Sequence, residues 1–333
     1  MENSVLLMQA VRKGDAPYVA ELIREGHAST TGEKQALMLV ACTRNHSDVV
    51  KVLLDHGADV HAHDDIALMW AIGYNSPMSV KHLLEHGANA RARKDDLMYA
   101  LWRKHFDIAQ MLLDHGADID VDDGYGLYSA VRNNELDTVH WLLERGASVH
   151  INREAALRCA VEKGHFDVVK ALIEHGANAR IDHDLLFAKA VEHHRYNIAD
   201  LLIASNREAD IVNSNYGNPL TEAVERGDFD AVKWLVSRGA DVNIDESAPI
   251  RYAVNDGNRP MVMLLHQLGS RLTERAREFV KPIDFQSLES PMECPICCET
   301  RDTVLICDKH VAGCQECVLK MTRRSCPLCR KSF

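Results

Sequence analysis

At 333 residues, with 46% hydrophobic and 26% charged residues, the chain is long enough for two modules, or for an elongated repeat body carrying a small module, and apolar enough to fold. Its net charge is −11, and residues 294–333 carry seven Lys/Arg against four Asp/Glu, so the 293 residues before them hold −14, a body too acidic to suit nucleic acid. The apolar run Val5, Leu6, Leu7, Met8 is broken by Gln9 and Arg12, and no later segment approaches membrane-spanning length, so a soluble intracellular protein of the cytoplasm or nucleus, without a membrane partner, is expected.

Along residues 1–270 a phrase close to Leu-Leu-x-His-Gly-Ala recurs. Its glycine falls at Gly26, Gly57, Gly87, Gly116, Gly146, Gly176, Gly239 and Gly269, with Asn206 in the one gap, at spacings of 31, 30, 29, 30, 30, 30, 33 and 30 residues. Sixteen positions before each lies an alanine: Ala10, Ala41, Ala71, Ala100, Ala130, Ala160, Ala190, Ala223 and Ala253. Each unit predicts two short helices, as in Leu157, Ala160 and Val161 on the first and Val168, Val169, Leu172 and Ile173 on the second. The glycine then suits a left-handed C-cap, and the alanine lets neighbouring helices approach. A lone pair cannot bury its apolar face, so the units must stack.

Within the units, Trp70, Tyr74, Tyr99 and Trp102 are candidate substrate-binding residues. Exposed together they form an aromatic patch for a protein partner; otherwise they fill gaps between repeats. His56, His86, His115 and His175 each precede a capping glycine, where an imidazole can satisfy helix-end carbonyls, and His46, His105 and His165 open second helices. Structural repetition explains these better than metal binding. Cys42 and Cys159 lie inside repeat helices with no partnered base, so covalent catalysis by them is the weakest reading.

The pattern resembles the ankyrin repeat, which implies an all-α ankyrin-repeat solenoid of about nine helix-turn-helix units that grips a protein. Most units are three residues short and lack the family's Thr-Pro-Leu-His turn; Gly217-Asn218-Pro219-Leu220 comes nearest to it. Because Leu97, Leu127, Leu157 and Leu220 each sit nineteen residues before a capping glycine, the helices keep their length and the loss falls in the hairpin loop. The short repeats are similar to those of giant-virus ankyrin proteins, which would place the chain in a host-cell cytoplasm.

After the last unit, residues 271–293 read as a capping segment, Arg271 to Val280, and a short linker punctuated by Pro282 and Pro291. Eight of the ten cysteines then crowd between Cys294 and Cys329. Four pairs, each with two intervening residues, stand out: Cys294/Cys297, Cys307/His310, Cys314/Cys317 and Cys326/Cys329. Eight thiolate and imidazole ligands suit two closed tetrahedral Zn²⁺ sites, structural rather than hydrolytic because no position is left for water. So small a module needs the metal to fold, at roughly 10–16 kcal/mol per structural site.

Order, identity and spacing of these pairs resemble the RING finger of ubiquitin ligases, a small α+β domain at residues 294–333; two residues rather than one separate Cys307 and His310. The resemblance implies interleaved sites, Cys294, Cys297, Cys314 and Cys317 on one zinc and Cys307, His310, Cys326 and Cys329 on the other, with Cys298 a bystander. It implies that Ile296, Pro327 and Leu328 dock a ubiquitin-charged conjugating enzyme and that Arg330 is the linchpin contacting that enzyme and ubiquitin. Catalysis would then be positioning, with no covalent intermediate on this chain. The tail after Arg330 leaves both a monomer and a RING dimer open. A RING-type ubiquitin-protein ligase whose repeats choose the substrate is therefore the expected function. Its alternative is a non-catalytic adaptor in which both modules only bind.

Overall fold

The computed structural model describes the backbone of residues 2–28, 30–205, 211–213, 219–280, 286–293, 300–307 and 310–314. The chain divides into two compact units, Met1–Ala177 and Asn178–Phe333.

The first unit is built from helix pairs: α1 (Glu2–Lys13) with α2 (Ala16–Arg24), α3 (Thr31–Thr43) with α4 (Ser47–Asp55), α5 (Ala62–Gly73) with α6 (Pro77–Glu85), α7 (Lys94–Trp102) with α8 (Phe106–Asp114), α9 (Val121–Arg132) with α10 (Leu136–Glu144), and α11 (Ile151–Lys163) with α12 (Phe166–Glu174). Within this unit each first helix packs on its own second helix and on the first helix of a neighbouring pair, so α3 touches α1, α4 and α5. The nine periodic alanines sit at these contacts and none is more than 4% exposed. A side chain larger than a methyl there would hold the helices apart.

Both helix ends in each pair close in the same way. The N–H of the residue after each capping glycine donates to a carbonyl five residues back, as from Ala58 to Leu53 and from Ala117 to Leu112, both at 2.9 Å. All eight repeat glycines lie in the left-handed region, with φ from +82° to +98°. The first helices end likewise, with a bond to the periodic alanine's carbonyl, as from His105 to Ala100 at 2.8 Å, and with Gly14, Asn45, Asn75, Lys104, Asn134, Gly164, His194, Gly227 or Gly257 left-handed.

The turns between successive pairs are short. Among the described residues four helices open on three consecutive left-handed residues: His63–Asp65 in α5, Asp122–Gly124 in α9, Asn152–Glu154 in α11 and, in the second unit, Asp245–Ser247 in α17 (Ile244–Asn255). One tight left-handed turn thus feeds each of these helices directly. Just upstream, side chains two residues after the capping glycine take up loose N–H groups: Asp59 accepts from His61, Asn89 from Arg91 and Asp118 from Asp120.

The second unit holds α13 (Ile181–Glu192) with α14 (Tyr196–Ser205), α15 (Pro219–Glu225) with α16 (Phe229–Ser237), and α17 with α18 (Arg259–Gln267). A further helix, α19 (Glu274–Val280), packs on α17 and α18 inside the segment expected to cap the stack. A three-stranded antiparallel sheet follows, β1 (Gln286–Glu293), β2 (Thr300–Cys307) and β3 (His310–Cys314), in the order β1-β2-β3. β1 occupies residues expected to be linker; its register shifts between Ser287 and Met292, and that irregularity accommodates Pro291, which has no N–H to give to a ladder.

Candidate functional site

The aromatic candidates lie on two successive first helices. Trp70 is on α5 and half-buried; Tyr74 follows at the helix C-cap, 51% exposed, its ring stacked on the indole with centroids 5.6 Å apart. From α7, Tyr99 is 38% and Trp102 52% exposed, and Arg103 lies over the Tyr99 ring at 5.9 Å. Asn75 and Lys104 both turn left-handed just after these helices.

Trp70, Tyr74 and Tyr99 line one cleft of about 400 Å³ together with Arg93, Asp95 and Asp96. Trp102 does not line it. The cleft therefore brings together three of the four aromatic candidates and adds charged residues that helical spacing alone did not single out.

Asp96 is the unusual member. It is 3% exposed, its Oδ1 lies 3.8 Å from Arg93 Nε, and its Oδ2 has no hydrogen-bond partner among the described residues. Burial raises its carboxyl to about 6; the Arg93 guanidinium opposes this, and the charges of Asp95 and Asp65 add to it. Asp65, equally buried, is satisfied differently, accepting from His61 Nδ1 at 3.2 Å and from the Asn89 backbone at 3.2 Å.

The periodic histidines take structural places. In His56, His86, His115 and His175 the Nδ1–H donates to the carbonyl four residues back, each at 2.8 Å, the helix-end role expected of them. His46, His105 and His165 stand at the N-caps of α4, α8 and α12. Burial pushes the Cys42 thiol up to about 12 and raises Cys159 as well, so neither is a thiolate near neutral pH.

Of the expected zinc ligands, Cys307 and His310 are Cα partners across β2 and β3, and Cys314 pairs with Val304. Cys294, Cys297, Cys317, Cys326 and Cys329 lie outside the described residues, as do Ile296, Pro327, Leu328 and Arg330. Among the described residues no helix is long and apolar enough to cross a membrane.

Compared with family models, the chain matches ankyrin repeats (3 copies) over residues 7–94, 127–215 and 185–276 and a single ankyrin repeat over 97–124. Among solved structures it is similar to the ankyrin repeat domain of Bcl-3, a member of the IkappaB protein family, at 27% identity over 54% of this chain and 89% of that one, with a TM-score of 0.45. The human ASB11 ankyrin repeat domain is similar at 25% identity over 54% and 95%, TM-score 0.41. An ankyrin repeat domain from Acinetobacter baumannii AYE is similar at 25% identity over 51% and 97%, TM-score 0.45. No curated protein matches.

Proposed function

The chain belongs to the ankyrin-repeat family, and from that membership we propose that it acts by binding a protein partner through the exposed aromatic face of α5 and α7, in the manner of an adaptor. The observation that carries the reading is the grouping of Trp70, Tyr74 and Tyr99 around one cleft, with Trp102 exposed on the same helix as Tyr99. Aromatic side chains bring large contact area at small entropic cost, and stable folds rarely leave several together in water without use. Affinity capture with the full chain and with a variant carrying Ser at Trp70, Tyr74, Tyr99 and Trp102 tests it. Loss of captured partner at unchanged melting temperature supports the reading; capture that survives all four substitutions sinks it.

A second reading adds catalysis, and the spacing of the eight Cys and His residues from Cys294 to Cys329 favours it. On this reading the C-terminus is a RING finger holding two Zn²⁺, and the protein is a ubiquitin-protein ligase of a reducing intracellular compartment. The donor set fits zinc, and the register of Cys307 opposite His310 suits two ligands of one site. Ile296, Pro327 and Leu328 would dock the charged conjugating enzyme and Arg330 would restrain its ubiquitin, while the repeats hold the substrate. In a reconstituted reaction, autoubiquitination lost in Ile296→Ala and Arg330→Ala with zinc retained supports the ligase. No activity with a broad panel of conjugating enzymes leaves the adaptor.

A further inference from the structure

We propose that the cleft between α5 and α7 receives a lysine side chain of the partner protein, its methylene stem along Trp70, Tyr74 and Tyr99 and its ammonium at the Asp96 carboxylate. The inference rests on the protein-binding reading and names the chemistry by which that site would choose.

The argument begins with the unpartnered oxygen. A carboxylate 3% exposed whose Oδ2 meets no donor is costly, because water has been removed and nothing has replaced it. Such a group within a cleft calls for a donor from outside. An apolar ligand would cover the rings and leave that oxygen as it is. An anion would meet the Asp95 and Asp96 carboxylates, reinforced by the charge of Asp65 behind them, and these three outnumber the guanidinium groups of Arg93 and of Arg103 over the Tyr99 ring. A cation satisfies both halves of the cleft, since aromatic faces attract positive charge and a carboxylate takes its hydrogen bonds.

Lysine fits better than arginine. The Arg93 guanidinium already stands 3.8 Å from Asp96 Oδ1, which leaves little room for a second planar fork, whereas an ammonium is compact. The Arg93 side chain is 36% exposed, so solvent is open to its guanidinium when the ligand takes its place. A four-carbon stem has the length to lie along the stacked pair Trp70 and Tyr74 while its head goes deeper.

Indole ¹⁵N NMR of the full chain, which has four tryptophans, reads the site directly once the Trp70 signal is identified with Trp70→Phe. The probes are N-acetyl-lysine methylamide, its Nε-acetylated form, the norleucine analogue and the arginine analogue. The Trp70 signal is expected to titrate with the lysine probe and to respond at least about tenfold more weakly to the other three. Asp96→Asn should weaken the lysine probe about tenfold or more without lowering the melting temperature, and Tyr99→Ala, at an exposed position, should weaken it as well. Equal binding of the acetylated, norleucine or arginine probe overturns the assignment, and so does lysine affinity unchanged in Asp96→Asn. Failure of partner capture is read in a different experiment, the four-serine variant, so neither result can be mistaken for the other.

Discussion

Asp96 couples stability to pH in a direction opposite to that of most carboxylates. Its group titrates near 6 in the folded protein against an ordinary 3.8, so above pH 6 the folded chain carries a buried charge that the unfolded chain solvates. As pH falls through 6 the native state takes up the proton first, and stability from this group rises until about pH 4, where the unfolded state is protonated too. Asp96→Asn removes the charge and keeps the shape. Urea unfolding should find the variant more stable at pH 7 by roughly 1–3 kcal/mol, with the difference from wild type shrinking between pH 6 and 4. A variant less stable at pH 7 would show that Asp96 is held by contacts worth more than its desolvation. Gly14 sits where a larger residue would meet a neighbouring repeat. At φ +77° a Cβ would lie 2.6 Å from His46 Nδ1, and the His46 ring also bonds the Arg12 carbonyl at 3.1 Å, so it cannot yield without losing that bond. Gly14→Ala should cost about 2–3 kcal/mol, while Gly26→Ala, left-handed but with nothing within 4 Å of the added carbon, should cost about 1.

Elements explain both what the sequence disclosed and what it withheld. The glycine and alanine periods predicted the helix pairs because each period marks one local event, a left-handed cap or a close helix contact, that permits few residue types. Asn45, Asn75 and Asn134 cap first helices at a constant offset and were readable by the same logic. The left-handed triplets were not, because Asn152-Arg153-Glu154 and Asp245-Glu246-Ser247 lack the glycine that signals positive φ; the demand comes from a shortened loop between stacked helices. Nor could spacing reveal Asp96, whose isolation arises where α7 meets α5, nor the strand β1 around Pro291. The triplets carry a test of their own. At Glu246, exposed with φ +56°, glycine relieves strain that offsets its entropy, so Glu246→Gly should leave stability within about 0.5 kcal/mol or raise it. The same change at exposed Lys51 inside α4 should cost about 1 kcal/mol. Across repeats, the Asp120 carboxylate accepts the Ser148 N–H at 3.0 Å, and Asp120→Ala should lower stability by about 1–2 kcal/mol in chemical denaturation.

For the whole molecule the central question is whether the repeats depend on the proposed zinc module. Repeat stacks draw their stability from nearest-neighbour contacts, and in this chain the paired helices bury apolar side chains, the periodic alanines among them. A zinc module of about forty residues has the opposite dependence, since folding and metal binding are there a single equilibrium. On the RING reading, chelation of the full protein should therefore release two equivalents of zinc by elemental analysis and abolish any ubiquitin transfer. The helical circular dichroism and its melting temperature should stay where they were, and capture through the α5–α7 face should persist. Fewer than two equivalents in the untreated protein would remove the RING reading and leave the binding reading intact. Helices that melt on chelation would instead mean that the repeats lean on the C-terminal module, and the adaptor and ligase readings would then have to be tested in one folded assembly rather than apart.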